Sequence, residues 1–237
     1  MTFTTLGYAF LGGLLPSLIW LYFLLKEDAR CPEPRAMIAL AFVVGMAAVP
    51  LALPLELFAK QHFGGVLSLP VLTSWALVEE TLKYAMAAAF ILWRRAVDEP
   101  QDYVIYLITV ALGFAAAENM LFVLAPLSAG DFSLGFFTSD VRFLGSTLLH
   151  VVASSAIGFA LAFSAQWRPA LRTLAAATGL ILAIALHTAF NGFIIGTGGS
   201  AATFLAFSLV WSVAIAFFAA FEVLKYVRYR TLPKNTC

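Results

Sequence analysis

Charge is scarce in this sequence: 11% of its 237 residues are Asp, Glu, Lys or Arg, against about 25% in an average soluble domain. With so few charges and 62% apolar residues, the chain cannot cover a soluble globule, and the surplus apolar surface needs lipid as its solvent. A net charge of +1 supplies no basic face, so no nucleic-acid partner is expected. The two cysteines, Cys31 and Cys237, match no metal-ligand spacing and are too few for a disulfide framework. No stretch of charge, or of Ser, Gly and Pro, is long enough to be a disordered linker. No basic segment precedes the first apolar stretch, so that stretch is expected to be a retained span rather than a cleaved signal.

What is there is long apolar runs. They predict one all-α, polytopic transmembrane helix bundle over residues 1–237, with about seven spans near 3–25, 36–58, 71–93, 103–124, 141–163, 171–195 and 201–224. Helices are expected because a single helix satisfies its own backbone inside a bilayer, and barrel strands do not give apolar runs this long. Pro16, Pro50 and Pro54 fall in the first two spans and mark them for kinks. The first, third and fifth loops and the C-terminal tail carry eleven of the 14 basic residues, whereas the opposite side carries only Lys60 and Arg142. This asymmetry predicts an outside N-terminus and a cytoplasmic C-terminus. Both cysteines then face a reducing compartment, which further disfavours a disulfide.

The remaining basic residue, Lys83, lies inside span three with Glu79 and Glu80. Span four carries Glu118 and Asn119, span five His150, and span six His187 and Asn191. Ionisable side chains in mid-span are costly to desolvate and point to a functional site. At 1.5 Å per residue, Glu79, Glu118, His150 and His187 lie roughly 9–14 Å below the outer ends of their spans. Four helices thus bring titratable groups to nearly one depth, which predicts a single site in the outer half of the membrane. Lys83 is spaced to pair with either glutamate, while the two glutamates point about 100° apart and are expected to differ in role. His187 and Asn191, at i and i+4, share a face that can offer an imidazole and an amide to one oxygen atom.

These residues form a pattern: Glu-Glu-x-x-Lys (Glu79, Glu80, Lys83), Phe-x-x-x-Glu-Asn (Phe114, Glu118, Asn119), a His with Gly eight residues later (His150, Gly158), and His-x-x-x-Asn (His187, Asn191). In order and helix placement it resembles the PrsW family of intramembrane proteases, which shares a superfamily with the type II CAAX prenyl endopeptidases. The CAAX branch has Phe-x-x-x-His where this chain has Phe-x-x-x-Glu, and an arginine one residue beyond the position of Lys83. Those departures favour PrsW over prenyl-protein processing. The resemblance implies a transmembrane protease domain in a bacterial or archaeal cell membrane, whose partners are the bilayer and a membrane-anchored substrate such as an anti-sigma factor.

Amide hydrolysis needs an activated water, a polarised carbonyl and a proton for the leaving amine. In the favoured metal-free scheme Glu79 is the general base, Glu80 and Lys83 hold the motif together, Glu118 and His150 orient the water or base, and His187 with Asn191 binds the oxyanion. The alternative is zinc held by His150, His187, Glu79 and Glu118; no His-Glu-x-x-His is present to favour it locally. Asn119 is expected to support the site or to satisfy backbone between helices. A non-catalytic scaffold and a proton-coupled transporter are the competing classes. The predicted depth puts cleavage near the extracytoplasmic edge of a substrate span, under the connector 125–140. Reporter fusions test this: an alkaline phosphatase fused after residue 130 is expected to be active, and one fused after residue 97 or 168 inactive. The reverse pattern would overturn the orientation.

Overall fold

The computed structural model describes residues 2–29, 31–64, 68–196 and 200–231. These form eight helices: α1 (Phe3–Glu27), α2 (Arg35–Phe63), α3 (Leu69–Phe90), α4 (Pro100–Ser128), α5 (Phe132–Leu144), α6 (Ser146–Phe163), α7 (Pro169–Gly196) and α8 (Ser200–Thr231). No strand occurs among the described residues, and the all-α polytopic architecture stands. Six helical stretches are long and apolar enough to cross a membrane, α5 and α6 together counting as one. With 22 residues, α3 is long enough as well; it is set apart by Glu79, Glu80 and Lys83. Both α1 and α2 continue as single helices through Pro16, Pro50 and Pro54.

Helix α4 is the axis of the bundle and packs most extensively against α1, α2 and α6. Its start is fixed by a capping box in which Asp102 accepts from the backbone N–H of Glu99 at 2.7 Å, satisfying a donor that the helix itself leaves free. From Val104 to Ala116 every residue is buried, so α4 has no polar face, as a helix surrounded by other helices requires. Small residues allow the close approach. A Cβ at Gly113 would sit 1.9 Å from the Phe42 carbonyl oxygen, and one at Gly45 would sit 2.0 Å from that of Val110. The backbones of α2 and α4 therefore touch where these two glycines meet. Gly158 does the same for α6, where a Cβ would meet Val104 Cα of α4 at 2.7 Å. This contact explains the glycine that follows His150 in the sequence pattern: it brings α6 against α4.

Two expectations about this architecture are corrected. The connector 125–140 is mostly helical: α4 runs on to Ser128, and α5 begins at Phe132, capped by Asp131 accepting from the Leu134 N–H at 2.9 Å. Span five therefore begins as α5 and breaks at Gly145 before continuing as α6. Apart from Gly135, the side chains of α5 are exposed or half-buried, and its polar character hid it from a search for apolar runs. The second correction concerns Cys31, which is disulfide-bonded; its partner lies outside the described residues. The contrary expectation rested on the redox state of a compartment, which says nothing of which sulfurs lie within bonding distance.

The α2–α4 crossing makes a direct prediction. Gly113→Ala is expected to destabilise the protein by about 1–3 kcal/mol, because the new methyl group meets backbone rather than a side chain that can move. Gly7→Ala, at a position with open space around it, is expected to be neutral or slightly stabilising. Unfolding of both variants in detergent micelles measures the difference; equal behaviour would refute the contact.

Candidate active site

The ionisable residues from α3, α4, α6 and α7 converge, as their common depth predicted. Lys83 and Glu80, both fully buried, are at its centre. Lys83 Nζ donates to Glu80 Oε1 at 2.5 Å and to Nδ1 of His150 at 2.9 Å, and it sits 4.8 Å from the centre of the Phe114 ring, a favourable cation–π position. Of the two glutamates open to it by spacing, Lys83 takes Glu80. The same Glu80 oxygen accepts from His187 Nδ1 at 2.7 Å, and Oε2 accepts from the Ser154 hydroxyl at 3.4 Å. Both oxygens of Glu80 thus accept hydrogen bonds.

These bonds assign the imidazole protons. With Lys83 donating to Nδ1, His150 carries its hydrogen on Nε2, which donates to Glu118 at 3.0 Å. Glu118 is also ion-paired with Arg142 of α5. Arg142 reaches the Asn119 side-chain oxygen, and Asn119 donates to the Thr147 hydroxyl at 2.9 Å. Asn119 therefore ties side chains of α5 and α6 together rather than satisfying backbone between helices. His187, with Nδ1 committed to Glu80, turns Nε2 toward Glu79, 3.9 Å away.

Glu79 is different from the rest. It is buried, yet its Oε2 has no hydrogen-bond partner and stands 3.8 Å from His150 Nδ1 and 3.9 Å from His187 Nε2. A buried carboxylate oxygen left unpaired costs free energy, and such an exception calls for a chemical reason. Glu79 faces a cavity of about 550 Å³ whose lining includes Glu118, Arg142, His150, His187 and Asn191. That volume accommodates a short peptide segment, and the remainder of the wall is mostly apolar. His187 and Asn191 are brought to the same wall, as their i, i+4 spacing predicted.

The same atoms can be tested against a metal. One donor atom each from Glu79, Glu80, His150 and His187 falls within a group whose members all lie within 4.8 Å of one another. The separations of the free Glu79 oxygen from the two imidazoles, 3.8 and 3.9 Å, are close to the ligand–ligand spacing of about 3.3 Å in a tetrahedral zinc site. Glu80 on the far nitrogen of His187 is the kind of carboxylate that orients a zinc-binding histidine. The donor set fits zinc in kind and spacing, with Lys83 as the group that occupies His150 Nδ1 instead. Glu118, expected among the ligands, is not in this group, because Arg142 and His150 Nε2 hold it.

Arg142 and Glu56 were missed as site residues. Arg142 was assigned to the outer surface, yet it follows the predicted start of span five by one position and precedes His150 by eight, two helical turns on one face. Glu56 is an acid inside span two and lines the cavity; the rarity of acids within spans was the signal for it. His62 is exposed; its ring lies against that of Phe58, centroids 3.9 Å apart, and its Nδ1 is 3.3 Å from the Phe58 carbonyl oxygen. Glu222 and Lys225 do pair, and Lys225 also bonds Glu27 at 3.0 Å.

A family model described as "PrsW family intramembrane metalloprotease" matches residues 33–221, most of the chain and all of the site. The chain belongs to the PrsW family. It is similar to a Protease PrsW of Geobacillus kaustophilus (strain HTA426), 29% identical over 150 residues that cover 62% of this chain and 63% of that one. The Protease PrsW of Bacillus subtilis (strain 168) is 27% identical over 114 residues, 48% of this chain and 52% of the relative. That of Shouchella clausii (strain KSM-K16) is 22% identical over 190 residues, 80% and 84% of the two chains. The matches thus span between half and five sixths of these relatives' lengths. No solved structure matches significantly. Membership of this family, together with the long apolar helices, makes the chain a multi-pass integral membrane protein.

The central ion pair carries the prediction for this site. Lys83→Met leaves the Glu80 carboxylate buried without its cation and is expected to cost about 3–5 kcal/mol. Adding Glu80→Gln, which keeps a partner for His187, should recover at least half of that loss. A double-mutant cycle of unfolding in micelles measures the coupling; strictly additive losses would show that the pair is not what holds the site.

Proposed function

We propose that this PrsW-family protein is an intramembrane endopeptidase in which Glu79 activates water against a peptide bond of a membrane-anchored substrate. The observation that carries the reading is the unpartnered Glu79 oxygen, buried but facing a cavity, with two imidazoles just beyond hydrogen-bond distance. A water bound there can bridge Glu79 to His187 Nε2, the imidazole nitrogen that no other group occupies. Glu79 takes its proton as the water oxygen bonds to the substrate carbonyl carbon. Asn191 and the cavity-facing nitrogen of His187, when protonated, donate to the oxyanion that forms. Glu79 then returns the proton to the amide nitrogen, the C–N bond breaks, and an acid and an amine leave. Glu118 and His150 act indirectly: Arg142 fixes Glu118, Glu118 fixes His150, and His150 holds Lys83 in place.

A second reading is favoured by the spacing of the same donors and by the family's description as metalloproteases. Glu79, His150 and His187 would hold zinc, which would supply a Lewis acid that makes bound water nucleophilic near neutral pH. In either case the loop charges support a cavity on the outer side of the membrane, and the PrsW likeness suggests a bacterial or archaeal cell membrane. Cleavage then falls near the extracytoplasmic edge of a single-pass partner, and the PrsW likeness suggests an anti-sigma factor as its type.

Co-expression with candidate single-pass regulators tests the reading. Glu79→Gln is expected to lower cleavage at least about 10²-fold and Asn191→Ala about 10²–10³-fold, with both variants folded by thermal melting. Undiminished cleavage by Glu79→Gln would overturn the assignment. Activity that survives exhaustive chelation, in protein free of metal by elemental analysis, decides for the glutamate scheme; activity lost on chelation and restored by zinc decides for the second.

A further inference from the structure

The charges in the site balance in pairs, with one exception outside the reaction. Glu80 is compensated by Lys83 at 2.5 Å and Glu118 by Arg142. Two carboxyl groups lining the cavity then remain without a cation, Glu79 and Glu56. Glu79 has its task in the chemistry. Glu56 has no side-chain hydrogen bond or ion pair among the described residues, although Lys60 stands one turn along α2. Acids within a span are normally paired or functional, and this one borders the space where substrate must lie.

Its position is fixed by neighbours. Trp75 Nε1 of α3 donates to the Glu56 carbonyl oxygen at 2.9 Å, which pins this turn of α2 to α3. Trp75 precedes Glu79 by four residues on α3, so Glu56 stands about one helical turn, roughly 6 Å, nearer the α2–α3 loop than Glu79. An extended peptide advances roughly 3.3 Å per residue. A group on Glu56 is therefore about two residues from a bond being cut at Glu79.

We propose that Glu56 selects the substrate: it receives a basic side chain, Lys or Arg, located about two residues from the scissile bond on the side nearer the α2–α3 loop. The proposal rests on the protease reading above. A partly buried carboxylate on the wall of a mostly apolar cavity offers an ammonium or guanidinium a charge-assisted bond that an uncharged side chain cannot make. Segments with a basic residue at the membrane boundary would be drawn in, and segments with an acid there rejected by Glu56 and Glu79 together.

The test uses full-length protein in micelles and synthetic single-span peptides of about 20 Leu and Ala residues. A single Lys is walked through the boundary positions, with Gln and Glu peptides as counterparts. Binding is read by fluorescence anisotropy in the Glu79→Gln background, so that no peptide is consumed. Lys peptides are expected to bind about tenfold more tightly than Gln peptides at one or two adjacent positions. Glu56→Gln should abolish that preference without lowering the melting temperature, and Glu56→Lys should transfer it to the Glu peptides. Equal or absent binding of Lys and Gln peptides, or a preference that survives Glu56→Gln, overturns the inference. Cleavage by the wild-type protein, followed by mass spectrometry, separates the two readings. Lys-dependent binding with no cleavage would sink the protease reading alone, and cleavage indifferent to residue 56 would sink this one alone.

Discussion

An ammonium and a carboxylate buried side by side each lose several kcal/mol of hydration, and only close pairing with full hydrogen bonding makes up the loss. Glu80 and Lys83 meet that requirement by drawing in everything around them. Glu80 takes Lys83, His187 and Ser154; Lys83 takes Glu80 and His150 and rests on Phe114. Satisfying this pair decides which nitrogen of each histidine is left for other work. His150 is turned to Glu118, and His187 is turned to the cavity. The orientation of the reactive edge of the site is thus a by-product of solving a solvation problem one residue away from Glu79.

The bundle makes that solution available by holding four helices in register. Because α4 is buried throughout its middle, it can be approached from several sides, and glycines at 45, 113 and 158 allow α2 and α6 to come into backbone contact with it. Glu80, Lys83, His150 and His187 then bond to one another directly. A second polar layer, Arg142 with Glu118, Asn119 and Thr147, closes the site toward α5. It neutralises Glu118, so that of Glu79, Glu80 and Glu118 only Glu79 is left without a cation.

Much of this could be read from the amino-acid order, and the parts that could not have a common cause. Glu79, Glu80, Lys83, Glu118, His150 and His187 lie well inside long apolar runs, where a charge is unambiguous. Arg142 and Glu56 lie near the ends of such runs. There, a long side chain can reach water along its own stem, so sequence alone does not distinguish a boundary charge from a buried one. The helix α5 was missed because half of it is polar, and a helix that lies at the edge of a bundle need not be apolar to form. The partner of Asn119 depended on Thr147 and Arg142 arriving from other helices, which no local pattern encodes.

The glycine crossing of α2 and α4 also has a geometrical effect on anything that enters the cavity. Val49 and Ala52 of α2 and Phe114 of α4 form part of its wall, and Gly45 and Gly113 lie just beyond them in the chain, where the two backbones are in contact. Nothing can pass between those helices at that level. For a substrate segment lying in the cavity as proposed, the crossing would be a depth stop, where the segment meets backbone. How far into a membrane segment such a protein can reach would be set by this fixed floor, like the end of a gauge, whatever side chains the segment carries.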